Sequence, residues 1–124
     1  MNKNDFIYKA EHKEFVKIIN GIEICINDEQ MTDEVLSLTE RVLSEYPKKI
    51  FVIADYLSKN ERFMTFYGDI SKEGIVKKLH EPNMCIDNYG GLLSYCNHEF
   101  DAVHIIDLEF AGALEKFYDV SING

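Results

Sequence analysis

The sequence has no tryptophan, only two prolines and no long apolar run. The scarcity of proline, with only seven glycines, argues against a disordered or linker-rich chain. Residues 50–54 form the longest apolar candidate, far short of the roughly 18 residues that cross a bilayer. The first residues lead into no signal-peptide core. We therefore expect one cytoplasmic domain over residues 1–124, with no membrane contact.

The spacing of the cysteines gives no sign of a redox motif. Cys25, Cys85 and Cys96 are odd in number, and no two of them form a C-x-x-C pair. Each stands among apolar residues, as buried structural cysteines do. The sequence thus predicts three buried thiols in a reducing compartment.

Potential metal ligands occur in the C-terminal third, but not at metal-binding spacing. Cys96 and His98, with His104 and either Asp101 or Asp107, are ligand types that zinc accepts. However, Cys96 and His98 are only two residues apart on a predicted strand, and the chain has no second pair of closely spaced ligands. We therefore expect no metal and no other cofactor.

Catalytic motifs are missing as well. Gly90-Gly91 is a lone glycine pair that lacks the following lysine and hydroxyl residue of a phosphate-binding loop. A cysteine nucleophile needs a histidine within hydrogen-bond reach. Cys96 with His98 or His104 therefore leaves a small enzyme as an alternative, but we expect no enzymatic activity.

Positive charge is absent from a long stretch of the chain. The protein has 13 basic and 22 acidic residues, a net charge of −9. No Lys or Arg lies between Lys78 and Lys116, and residues 79–124 hold eight acidic side chains against one basic side chain. Such a chain repels phosphate backbones, which argues against nucleic-acid binding. It attracts basic partners instead.

The clearest structural signal is an N-terminal β-hairpin. Asn20-Gly21 separates the apolar segments 14–19 and 22–26, and both residues tolerate the positive φ of a two-residue turn. That loop length fixes the register, and it pairs Ile19 with Ile22, Lys17 with Ile24 and Phe15 with Ile26.

Helices are predicted to follow the hairpin. Thr32 caps a helix over 32–46, in which apolar residues recur at helical spacing. Pro47 ends this helix and opens a second one over 47–66. Residues 50–53 are also compatible with a buried strand. Ser71 caps a short third helix that reaches Leu79.

The C-terminal third predicts strands over 83–87, 92–98, 103–110 and 114–122. A three-residue loop at 111–113 pairs Phe110 with Leu114 and separates polar from apolar residues well. A two-residue loop, which would place Phe117 inside, separates them less well. The predicted fold class is α+β: an antiparallel or mixed sheet of the N-terminal hairpin and the C-terminal strands, with two to three helices packed on one face.

The preferred register creates an acidic outer face. It surrounds Phe117 with four carboxylates, those of Asp107, Glu109, Glu115 and Asp119. Glu109 then lies opposite Glu115, and like charges across a strand pair are destabilising. We expect this face to bind a basic protein, with Phe117 and Tyr95 supplying desolvated contact. The alternative is that the acidic residues only protect the sheet from aggregation.

A small, strongly acidic α+β chain with early helices and a C-terminal antiparallel sheet resembles the immunity proteins of bacterial toxin–immunity systems, such as those of polymorphic toxins and contact-dependent inhibition. Residues 106–112 and 117–124 are also similar in style to small bacterial domains. The resemblance implies tight binding and blocking of a toxin, often a basic nuclease. It implies no catalytic residues. A regulatory or scaffold subunit that binds no toxin is the alternative.

Overall fold

Seven strands and three helices form the protein in this computed structural model, which describes residues 1–124. The strands are β1 (Ile7–Lys9), β2 (Glu14–Ile19), β3 (Ile22–Asn27), β4 (Asn83–Ile86), β5 (Gly90–Tyr95), β6 (Ile105–Ala111) and β7 (Lys116–Asn123). The helices are α1 (Asp33–Ser58), α2 (Glu61–Tyr67) and α3 (Lys72–Leu79), all between β3 and β4. The predicted α+β class is confirmed.

The strands lie in one sheet in the order of the chain, from β1 to β7. All neighbours are antiparallel except β3 and β4, which are parallel. A parallel pair needs a long crossover that returns the chain to its starting end, and the three helices supply it. The sheet is therefore mixed, and the crossover joins the N-terminal hairpin to the C-terminal strands.

The N-terminal hairpin has the predicted register. Ile19 pairs with Ile22, and the pairing continues to Phe15 opposite Ile26. Asn20 and Gly21 have φ values of 51° and 81°, the positive values that a two-residue turn requires.

Pro47 does not end the first helix, so the predicted boundary at 46 and 47 is wrong. Thr32 does cap α1, because its hydroxyl oxygen accepts a hydrogen bond from the Val35 N–H at 3.2 Å. The helix then continues through Pro47 to Ser58 and makes residues 50–53 helical. A proline inside a helix costs about 3 kcal/mol. Tyr46 and Ile53, on either side of Pro47, are both buried in the core, and this packing outweighs the local cost.

The predicted second helix is instead divided at Lys59 and Asn60. The Asn60 side chain accepts a hydrogen bond from the Phe63 N–H at 3.0 Å and so begins α2. Ser71 caps α3 in the predicted manner, accepting from the Gly74 N–H at 3.2 Å. None of the helices is both long enough and apolar enough to cross a membrane.

The register predicted for the last two strands is wrong. β6 ends at Ala111 and β7 begins at Lys116, so Phe110 pairs with Phe117 rather than with Leu114. Leu114 lies in the turn with a φ of 61° and is buried there.

A β-bulge follows this turn. The register shifts between Glu109 and Phe110, so that Glu109 pairs with Asp119 and Tyr118 has no partner across the ladder. A bulge adds one residue to one strand, so Phe117, on the turn side of Tyr118, takes the opposite face from the one that simple alternation assigns, whereas residues 119–123 keep theirs.

The helices cover only one side of the sheet. A core of 26 buried residues combines helical side chains with every second residue of the strands. We call the side packed against the helices the covered face, and the other side the open face. The open face consists of the strand residues that alternate with the core, chiefly Glu14, Val16, Ile18, Glu23, Cys25, Cys85, Leu92, Ser94, Asp107 and Glu109.

Candidate binding face

The cysteines lie on or beside the open face, so the prediction of three buried thiols is wrong. Cys25 is half-buried, and Cys85 and Cys96 are exposed. The apolar neighbours of Cys25 are Ile24 and Ile26, which point into the core. Because successive side chains of a strand point to opposite faces, those neighbours place Cys25 on the other side.

A continuous row of side chains crosses the open face. The strand registers align Val16, Cys25, Cys85, Leu92 and Glu109 as successive partners from β2 to β6. The central step of this row is the parallel pair, in which Cys25 lies beside Cys85. The row therefore passes from one apolar side chain through two thiols and a leucine to a carboxylate.

A depression of about 550 Å³ lies over the middle of this row. Three acidic side chains line it, those of Glu14, Asp87 and Glu109, and no basic side chain does. Leu92 and the half-exposed Tyr118 supply apolar surface at the same place. The depression thus combines uncompensated negative charge with apolar contact area, which suits a basic ligand.

A hydrogen bond links one acidic side chain of the depression to one of its two thiols. The Cys25 thiol donates to Oε2 of Glu14 at 2.6 Å. The pKa of the Cys25 thiol is raised, first by its interaction with Cys85, then by burial and by Glu14. Interaction with Cys25 lowers the pKa of the Cys85 thiol, although burial and nearby carboxylates oppose this. Cys85 is therefore the thiol that loses its proton first.

Two of the predicted partner-binding residues do lie on the open face. Asp107 is half-buried and accepts hydrogen bonds from Ser94 Oγ at 2.6 Å and from Asn123 Nδ2 at 2.9 Å. Glu109 is exposed and has no such bonds to neighbouring side chains. Glu109 is therefore the freer of the two to meet a partner.

Two of the other predicted residues lie elsewhere, Glu115 because it is in the turn and Phe117 because the bulge turns it inward, whereas Asp119 keeps its predicted place at the edge of the open face. Glu115 is in the turn, where its carboxylate accepts from the Ala113 N–H at 3.2 Å, so it does not face Glu109. Phe117 points to the covered face and packs on Tyr56 of α1, with ring centroids 5.8 Å apart. Asp119 is the residue that pairs with Glu109, so a like-charged pair remains.

Tyr95 is not a surface residue, and its predicted role in partner contact is wrong. Its side chain is fully buried, and its hydroxyl is hydrogen-bonded to that of Tyr46 on α1 at 2.9 Å. Burial raises the pKa of Tyr46 to about 12. This is the only hydrogen bond that the two phenol hydroxyls make inside the core.

A second and larger groove, of about 930 Å³, runs between β7 and the helices. Phe117 and Asp119 line it together with Lys59, Arg62 and Glu61. Arg62 donates to the main-chain oxygen of Val120 at 2.6 Å. Acidic and basic side chains alternate here, so this groove offers no field of a single sign.

The cysteine and histidine side chains of the alternative enzyme do not converge. The Cys96 thiol is 3.9 Å from the Asn83 amide and from the Ser94 carbonyl oxygen. His98 bonds through Nε2 to the His104 carbonyl oxygen at 2.7 Å. His104 bonds through Nδ1 to Asp101 at 2.7 Å. No group of three His, Cys, Asp or Glu side chains has the geometry to hold a metal ion.

Sequence reasoning missed most of the residues that line the depression. Glu14 and Asp87 come from separate halves of the chain, and only the parallel pairing of β3 with β4 brings them together. Strand alternation could have identified Cys25 as outward-facing, because the apolar Ile24 and Ile26 on either side of it point to the core. The proximity of Cys85 had no local signal.

Comparison with protein-family models, with curated proteins and with solved structures finds no significant match to this chain.

Proposed function

We propose that this protein binds a basic protein partner through the depression on its open face, and that it acts as an immunity protein that blocks a toxin. The observation that carries the proposal is the lining of the depression, where Glu14, Asp87 and Glu109 meet without a basic side chain. A surface of one sign attracts a partner of the other sign and speeds their encounter.

Apolar side chains in the same depression supply the second requirement for tight binding. Leu92 is half-buried, and Tyr118 has 49% of its surface exposed. Partners bind tightly where an apolar or aromatic anchor is desolvated inside a polar rim. Tyr118 thus takes the anchoring role that the sequence had given to Phe117.

The groove beside β7 is the weaker candidate, although it is larger. Lys59 and Arg62 lie among its acidic residues, and they cancel the local field. Electrostatic steering needs a surface of one sign rather than a large concavity. The distribution of charge therefore favours the open face over the groove as the binding site.

The toxin assignment rests on the resemblance to acidic immunity proteins. A protein of that kind works by occupying its partner, so it needs a complementary surface and no reactive centre. We place this role in the cytoplasm, a reducing compartment that suits an exposed free cysteine such as Cys96.

The test uses the C-terminal domain of the protein encoded by the neighbouring gene as the ligand. We expect association rates to fall with added salt, and Glu109→Lys to slow association about tenfold at low salt. The matched control is Glu40→Lys, which makes the same charge change at an exposed position on α1. It should slow association far less.

Two outcomes would count against the proposal. Equal slowing by both variants would mean that total charge, and not the open face, governs the encounter. Unchanged binding in Glu109→Lys would mean that the partner docks elsewhere. A ligand that binds through this face but has no toxic activity would support a regulatory subunit instead of an immunity protein.

A further inference from the structure

The parallel step of the open-face row places two thiols side by side. Cys25 on β3 and Cys85 on β4 are direct partners in the register, and both line the depression. Facing residues of adjacent strands have Cα atoms about 5 Å apart, within the range that a disulfide bridges. Both thiols are free in this structure.

The two thiols have different surroundings. The Cys25 thiol donates to Glu14 Oε2 at 2.6 Å, so the carboxylate holds the proton on that sulfur. Cys85 is the more exposed of the two. A thiolate, and not a thiol, attacks a disulfide. Cys85 is thus placed to react with an external disulfide, and Cys25 to react second.

We propose that Cys25 and Cys85 form a redox site, which a low-molecular-weight disulfide converts reversibly into an intramolecular disulfide. This inference is independent of the proposed function, because it concerns only the chemistry of the two thiols.

The reaction is a pair of thiol–disulfide exchanges. The Cys85 thiolate attacks one sulfur of the external disulfide, forms a mixed disulfide and releases one small thiolate. The Cys25 sulfur then attacks the Cys85 sulfur, passes its proton to Glu14 and displaces the second small thiolate. The two protein thiols are oxidised together, and the external disulfide is reduced to two small thiols.

The charges around the site select the oxidant. Glu14, Asp87 and Glu109 line the depression, so an anionic disulfide is repelled. A neutral or cationic disulfide meets no such barrier. We therefore expect cystamine, which is cationic, to react faster than bis(2-hydroxyethyl) disulfide, which is neutral, and oxidised glutathione to react most slowly.

Cys96 is not part of the site. It lies beyond the end of β5, near Asn83 and the Ser94 carbonyl oxygen, and the register gives it no cysteine partner. It therefore has no resolving thiol beside it and can form only a mixed disulfide.

The test treats the reduced full-length protein with bis(2-hydroxyethyl) disulfide, quenches with acid and measures the intact mass and the linked peptides. We expect a product that joins the peptides of Cys25 and Cys85, and we expect dithiothreitol to reverse it. Cys96→Ser should form the same product. Because this variant has no third thiol to form a mixed disulfide, its product should have lost two hydrogen atoms. A protein that carries only mixed disulfides, or that joins Cys96 to another cysteine, would overturn the proposal.

Single substitutions separate the two steps. Cys25→Ser should stop at a mixed disulfide on Cys85, and Cys85→Ser should leave Cys25 largely unreacted.

Glu14→Gln retains an oxygen acceptor but cannot take the proton. We therefore expect Glu14→Gln to leave the rate of the first step unchanged and to slow formation of the intramolecular disulfide, so that the mixed disulfide accumulates. If Glu14→Gln changed the rates of both steps equally, Glu14 would have no part in the mechanism. If the intramolecular disulfide formed without prior attack by Cys85, the proposed order of the two steps would be wrong.

Discussion

Adjacent rows of the same sheet have opposite chemistry. On the covered face, five strands align a row of fully or almost fully buried apolar residues: Ile24, Met84, Leu93, Leu108 and Val120. The neighbouring row on the open face reads Val16, Cys25, Cys85, Leu92 and Glu109. Because strand side chains alternate, one segment can supply the core from one residue and a binding surface from the next. Under the proposed function, stability and recognition are therefore assigned to different faces.

The strongest test of this division compares two leucines that are neighbours on β5. Leu93 is fully buried on the covered face, and Leu92 is half-buried on the open face. We expect Leu93→Ala to lower the free energy of unfolding by about 2–5 kcal/mol, because it leaves a cavity in a packed core. Urea unfolding with a constant m-value is the measurement.

Leu92→Ala is the matched control, since it removes the same atoms from the same strand. We expect it to cost less than about 1.5 kcal/mol, because a half-buried side chain has less transfer energy to lose and leaves no closed cavity. If the two variants were equally destabilised, the open face would be covered in solution, and the contrast between the faces would be wrong.

A smaller effect is expected from the phenol pair that joins α1 to the covered face. Tyr95→Phe leaves the buried Tyr46 hydroxyl without its hydrogen bond, which costs about 1–3 kcal/mol. Tyr46→Phe should have a similar effect. The double variant removes both polar groups, so we expect it to be less destabilised than the sum of the two single changes. Additive losses would show that the two hydroxyls are not coupled.

The same pair predicts a weakening of the fold at alkaline pH. Burial raises the pKa of Tyr46 to about 12 from an ordinary value near 10. A raised pKa contributes stability that is fully present below the unfolded value and is lost as pH rises toward the folded value. Between about pH 10 and 12 the free energy of unfolding should fall by roughly 1.4 kcal/mol per unit for this residue. The slope should be smaller in Tyr46→Phe.

Signals contained in a few neighbouring residues predicted the structure well. Asn20-Gly21 set the hairpin register, because a two-residue turn with positive φ at both positions allows only one pairing. Thr32 and Ser71 were found as helix caps because their side chains bond to the backbone three residues ahead. These features depend on local geometry alone.

Features that depend on distant contacts were not predictable in the same way. Pro47 was expected to end a helix, but burial of the residues around it keeps α1 continuous. The bulge opposite Glu109 and Phe110 reversed the faces of β7 only on the turn side of Tyr118, so Phe117 turned inward. The pairing of Cys25 with Cys85 exists only because the helical crossover makes β3 and β4 parallel. Asp107, Glu109 and Asp119 were therefore correctly expected on one face, but the position of Glu14 and Asp87 beside them was not predicted.

The smallest expected effect concerns the like charges that face each other at the edge of the open face. Glu109 pairs with Asp119 across β6 and β7. We expect Glu109→Gln to raise the free energy of unfolding by about 0.2–0.5 kcal/mol at low salt, because it removes this repulsion without changing the shape of the side chain. The gain should fade as salt screens the pair.

Asp119→Asn tests whether that gain comes from the pair itself. Once Asp119 is neutral, Glu109→Gln has no repulsion left to relieve and should add nothing further. Glu40→Gln, on the exposed side of α1, controls for the change in net charge and should not show this coupling. If the coupling is found, the wild-type protein retains a carboxylate that weakens its fold, and stability alone does not account for Glu109. If the proposed function is right, the same substitution should also slow association with the basic partner, since one carboxylate would both destabilise the sheet and attract the ligand.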